Sequence, residues 1–129
     1  MSVPAYAAGD AVSSVLGFAL DGLAMRQRTI ADNLANVDTP DFRASSVDFE
    51  SALQSAISRG NGEESRTIAD IARSTPASIA NDTPVGPDGN NVDLRKETLA
   101  AVQSQFQYQM VARAVTDRFE LIKTAAGAF

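Results

Sequence analysis

Three short stretches of the chain hold side chains whose types and spacing could do chemistry. Asp38 and Asp41 flank Thr39-Pro40 and could form a carboxylate pair. Such a pair does acid–base work only beside a nucleophile or a proton partner, and nothing nearby supplies one, so the two acids read as solvated turn residues. Asp88-Gly89-Asn90-Asn91-Val92-Asp93 has the look of a calcium loop. It puts glycine second, valine fifth and Leu99 at the twelfth position, where a bidentate glutamate belongs, and it is rejected as a metal site. Asn33 and Asn36 share one face near a helix end. Their amides could grip the backbone of a neighbouring subunit or fix the chain's change of direction. They could equally return hydrogen bonds to local carbonyls, as asparagine does at helix ends.

The inventory narrows the chemistry further. The chain has no cysteine and no histidine, which removes disulfides, thiolate metal sites and the commonest general base. Lys and Arg number 11 against 16 Asp and Glu, a formal net charge of -5, with no basic run, so a nucleic-acid partner is not expected. Tryptophan is absent and aromatics are 6%, which argues against a large aromatic-lined pocket for a small-molecule substrate. No phosphate-cradling glycine motif is present. Asn81-Asp82-Thr83 matches a glycosylation sequon, but Pro84 follows it. An enzyme is therefore the least expected class, and no cofactor is expected.

The elements that must position these residues are helical. Asp10 is placed to cap a first helix over residues 10–37. Leu16, Leu20, Leu23, Gln27, Ile30, Leu34 and Val37 recur in steps of four and three, a heptad seam that asks for another helix. Pro40 stops the helix and pushes Thr39 into an extended conformation. A short amphipathic helix follows from about Ser46, capped by Ser46 or Asp48, with Phe49, Leu53, Ala56 and Ile57 on one face. Residues 60–91 are punctuated by Gly, Pro, Asn and Ser, and read as a flexible irregular loop. Within it, Ile68–Ile71 and Ser78-Ile79 could form short strands or turns. Asn90 or Asn91 is read as the cap of a last helix over 92–127, with Leu99, Val102, Phe106, Val115, Phe119 and Ile122 among its packing residues. At 1.5 Å per residue the two long helices would span about 40 and about 50 Å.

The expected fold is all-α: one elongated subunit (1–129) in which the long terminal helices pair antiparallel, coiled-coil-like, joined by an extended elbow and short helix at 38–59. The helices carry more apolar side chains than one seam can cover, Val12, Val15, Phe18 and Met25 on the first and Tyr108 and Val111 on the last. Surplus of this kind implies partner chains. Phe129 follows the same logic, and residues 1–9 are expected to fray. No run reaches the roughly 20 apolar residues of a membrane span. The N-terminal run lacks a basic flank and is bracketed by Asp10 and Asp21, so it reads as helix rather than as a cleaved leader.

Asn33-Leu34-Ala35-Asn36-Val37-Asp38-Thr39-Pro40-Asp41-Phe42-Arg43 resembles the "NxANxxTPGY[KR]" signature of bacterial flagellar rod and hook proteins. Val47-Asp48-Phe49-Glu50-Ser51-Ala52-Leu53 resembles the continuation found in proximal rod proteins of the FlgB type. Gly89-Asn90-Asn91-Val92-Asp93-Leu94 is similar to that family's entry to its C-terminal helix. The resemblance implies a structural subunit of the proximal rod of the flagellar basal body, forming a helical tube that transmits torque. It implies export without a cleaved signal peptide through the flagellar export apparatus, and a place in the periplasmic rod. The implied partners are copies of itself, other rod subunits, the rod-to-export-gate adaptor and the membrane-anchored ring. It also gives Asn33, Asn36, Asp38, Thr39, Pro40, Phe42 and Phe49 the roles of elbow and subunit interface. The family often has glycine where this chain has Asp41, a change that bears on the turn, because glycine takes positive φ freely. The alternatives are a neighbouring proximal rod subunit with a different central segment, or a secreted helical binding protein whose loss leaves flagella intact.

Overall fold

The computed structural model describes residues 10–127; the expectations for residues 1–9 and for Phe129 fall outside them. The order of elements is α1 (Ala11–Ala35), β1 (Ser45–Asp48), α2 (Glu50–Gly60), α3 (Glu64–Arg73), β2 (Ala77–Ala80) and α4 (Leu94–Ala125). Asp10 caps α1, its carboxylate accepting from Ser13 N at 2.8 Å. The same carboxylate is ion-paired with Arg118 near the other end of the chain. Arg26 donates to Gln107 and Gln27 donates to Gln105, so α1 and α4 run antiparallel.

Mostly helical as expected, the molecule also holds a two-stranded antiparallel ribbon, in which Ser45 faces Ala80 and Asp48 faces Ala77. Residues 46–48 are therefore strand rather than the start of a helix. Val47 is buried there, and α2 begins only at Glu50, after Asp48 accepts from Ser51 N at 2.9 Å. The irregular reading of 60–91 needs the same correction. Residues 64–73 form a helix, so Ile68–Ile71 is helical rather than strand-like, while Ser78-Ile79 does lie in a strand. Asn61 and Gly62, at φ 49 and 81, turn the chain between α2 and α3. These two helices then pack closely, with Gly60 directly under Thr67.

Phe18, Ala19 and Leu23 of α1 meet Phe49, Ala56 and Ile71 in the core. Burying each of the large side chains contributes about 1.5–3 kcal/mol. Gly22 makes this possible, because a Cβ there would collide with the Phe49 ring. The α2–α3 hairpin thus covers one side of α1 while α4 covers another.

The seam of α4 is not the one that its large side chains suggest. Leu99, Val102, Phe106 and Phe119, expected as packing residues, are 59%, 64%, 65% and 67% exposed. The buried positions are Glu97 and Ser104, with Tyr108 and Val111 packed against the core and Ala101 beside Ile30 and Leu34. Of the expected set, Val115 and Ile122 do face Leu16 and Leu20 across a groove. The reason is steric. Small residues at 101 and 104 let the helices approach, and at 3.6 residues per turn Leu99, Val102, Phe106 and Met110 then fall on the opposite face.

Candidate functional site

The change of direction after α1 is held by amide side chains. Asn33 is almost fully buried and reads both backbone atoms of one residue: its Nδ2 donates to Ser45 O at 2.7 Å, and its Oδ1 accepts from Ser45 N at 3.3 Å. Asn36 works locally. Its Nδ2 donates to Asp32 O at 2.8 Å and its Oδ1 accepts from the Thr39 hydroxyl at 3.0 Å. The two asparagines therefore divide the alternatives: Asn33 fixes the elbow, and Asn36 returns its bonds to nearby backbone and Thr39.

Two residues read from sequence as helix caps belong to this site instead. Asp93 caps α4 by accepting from Lys96 N at 3.1 Å, which leaves Asn90 and Asn91 free for the elbow. Asn90 donates to Asn36 O and to Thr39 O, both at 2.8 Å. Asn91 accepts from Ala44 N at 2.6 Å and donates to Asn81 O at 3.3 Å and Thr83 O at 3.4 Å. The backbone completes the clamp: Asp41 N donates to Asp88 O, Asn91 N to Phe42 O and Asn81 N to Ala44 O. Buried backbone groups without partners are costly, so these bonds set the path of residues 36–45. Sequence reasoning missed Asn90 and Asn91 because Asn and Asp are equally good N-caps and the chain offers three candidates within four residues.

The position where the family pattern often has glycine takes a backbone conformation that favours glycine. Asp41 sits at φ 61, in the left-handed region that favours glycine. Gly89, at φ 81, lies directly against it, and a Cβ on Gly89 would run into the Asp41 carboxylate. Asp38, Thr39 and Pro40 are exposed, Phe42 is half-buried, and Phe49 is buried in the core rather than offered at a surface.

Arg26 braces the elbow from behind. Its guanidinium donates to Val47 O at 2.7 Å and to Glu50 at 2.6 Å, and lies 4.7 Å from the centre of the Phe49 ring. The Ser51 hydroxyl and amide hold the Asp48 carboxyl below the ordinary aspartate range. Among the described residues no three metal-ligating side chains converge, and no helix is long and apolar enough to cross a membrane. The arrangement positions backbone and helices.

No family model matches the chain. It is 30% identical over 126 residues to the flagellar basal body rod protein FlgB of Escherichia coli, covering 86% of this chain and 91% of that one. The chain belongs to the FlgB family of flagellar basal body rod proteins. The FlgB of Bacillus subtilis is 30% identical over 110 residues, with 82% and 85% covered, and that of Salmonella typhimurium 34% over 116, with 78% and 84%. This FlgB homologue is accordingly a structural subunit of the flagellar basal-body rod. Its relatives are named as flagellar basal body rod proteins.

Proposed function

We propose that this chain builds the periplasmic proximal rod by packing α1 and α4 against copies of itself and other rod subunits, in a helical tube that transmits torque. One observation carries the reading. The outer face of α4 exposes Leu99, Val102, Phe106 and Met110 in a continuous stripe, on the side away from α1. A stripe of that kind marks a surface that another chain covers. The elbow, with Asn33, Asn36, Thr39 and Pro40 at its bend, sets the angle at which residues 38–59 leave α1, and the exposed Asp38, Thr39 and Pro40 are the part it offers to a neighbour.

By the family resemblance, the further partners are the rod-to-export-gate adaptor, the membrane-anchored ring and the flagellar export apparatus, which would pass the chain without a cleaved leader. Deletion of the gene tests the reading. Electron cryotomography should show the membrane ring built and the rod missing, with both rod and swimming restored by the gene. Intact rods in the deletion strain would overturn it and favour a secreted binding protein.

A further inference from the structure

The turn between α2 and α3 holds two residues with a chemistry of their own. Asn61 is followed by Gly62, and no other asparagine of the chain is followed by glycine. In such a pair the backbone nitrogen of the glycine attacks the side-chain amide carbon of the asparagine. A bond forms between Gly62 N and Asn61 Cγ, the Cγ–Nδ2 bond breaks, and the amide group leaves as ammonia with the proton given up by Gly62 N. Water then opens the five-membered imide at either carbonyl, which leaves aspartate or isoaspartate at position 61. Glycine matters because a Cβ on the following residue shields the attacking nitrogen. Leu34, Val37, Asp82, Asn91 and Val92 supply that shield after the other asparagines.

The folded turn works against the reaction. Both residues are exposed, so solvent access is not the brake. The brake is backbone geometry. Ring closure needs the Gly62 nitrogen on the same side of the Asn61 Cα–C bond as Cβ. Asn61 is left-handed at φ 49 and ψ 41, which places that nitrogen nearly opposite Cβ. Two backbone bonds hold it there: Asn61 N donates to Ser58 O at 3.2 Å and Glu63 N donates to Gly60 O at 2.8 Å. Gly60 also packs under Thr67, whose hydroxyl donates to Glu63 O at 3.0 Å. The attack therefore waits for a local opening of the turn. Isoaspartate adds a methylene to the main chain at residue 61, and it lengthens a turn whose hydrogen bonds and Gly60–Thr67 contact depend on its span.

We propose that Asn61 is the site of spontaneous deamidation and isoaspartate formation in this chain, that the closed α2–α3 turn protects it, and that the isoaspartate product holds the hairpin less tightly. The form that ages is then the open chain and not the folded subunit. This stands independently of the rod reading.

The purified full chain is incubated at mildly alkaline pH, in buffer and in guanidinium chloride, and its peptides are followed by mass spectrometry. In denaturant the mass shift of deamidation should appear at Asn61 before any other asparagine, and in buffer it should accumulate about tenfold or more slowly. The shift separates this site from Asp21-Gly22 and Asp88-Gly89, which can isomerise only without change of mass. Equal rates in the two conditions, or another asparagine reacting first, overturn the proposal. Gly62→Ala is compared in denaturant, where its effect on folding plays no part. It should slow the shift by about tenfold or more, and an unchanged rate overturns the attack by Gly62 N. The isoaspartate form is then separated, returned to buffer and compared with Asn61→Asp. Hydrogen exchange at Thr67 should be faster in the isoaspartate form; equal exchange would overturn the loosened hairpin.

Discussion

Asn91 reaches back across 47 positions to accept the buried amide of Ala44 at 2.6 Å. That bond joins the loop before α4 to the elbow after α1, so the two signature stretches form one structural unit. Asn91→Ala leaves the Ala44 N–H and the carbonyls of Asn81 and Thr83 without their partner. We expect a loss of about 1–3 kcal/mol in denaturant unfolding. Hydrogen exchange at Ala44 should speed up while exchange in the middle of α4 changes little.

Gly22 and Gly17 sit five residues apart in α1 and should respond to alanine with opposite signs. At Gly22 a methyl group enters the Phe49 ring, and overpacking costs about 1–3 kcal/mol. At Gly17 nothing described is displaced, and the gain in helix propensity of about 1 kcal/mol remains. Thermal melts of the two purified variants check the pair: Gly22→Ala should melt lower than the wild type and Gly17→Ala no lower.

Asp41 holds a left-handed backbone at φ 61. Asp41→Gly should therefore raise stability by up to about 1 kcal/mol, and Asp41→Val should lower it by about the same amount or more. Chemical denaturation of the three proteins reads the order directly.

Asp48 contributes to the pH dependence of stability. Its carboxyl is held below the ordinary aspartate range by the Ser51 hydroxyl first and the Ser51 amide second. A depressed folded-state pKa stabilises at pH above the unfolded value, about 3.9, and that contribution is lost as pH falls through the folded value. Unfolding followed from pH 6 to pH 2 should show Asp48→Asn losing less stability on acidification than the wild type.

Much of this was legible in the sequence, for local reasons. Asp10 as a cap rests on contacts within a few residues, and the α1 seam through Leu23 and Ile30 is legible in local spacing; the helix expected to run to 37 before Pro40 ends at Ala35. The rest was hidden by contacts that are distant in sequence. Ser45–Asp48 becomes a strand because Ala77–Ala80 pairs with it from the far side of α2 and α3. Glycines and an asparagine around α3 disguised a helix whose buried face is only Thr67, Asp70 and Ile71. On α4, periodicity offers two stripes half a turn apart. The smaller one faces α1 because Ala101 and Ser104 permit close approach, and spacing alone does not record that choice.

The account stands on the outer stripe of α4 being covered in the assembled rod. Val102→Cys, in a chain without other cysteines, reads this directly by maleimide labelling of the purified protein and of isolated basal bodies. We expect rapid labelling of the free chain, where Val102 is 64% exposed, and strong protection in rods. Equal labelling in both would contradict the account.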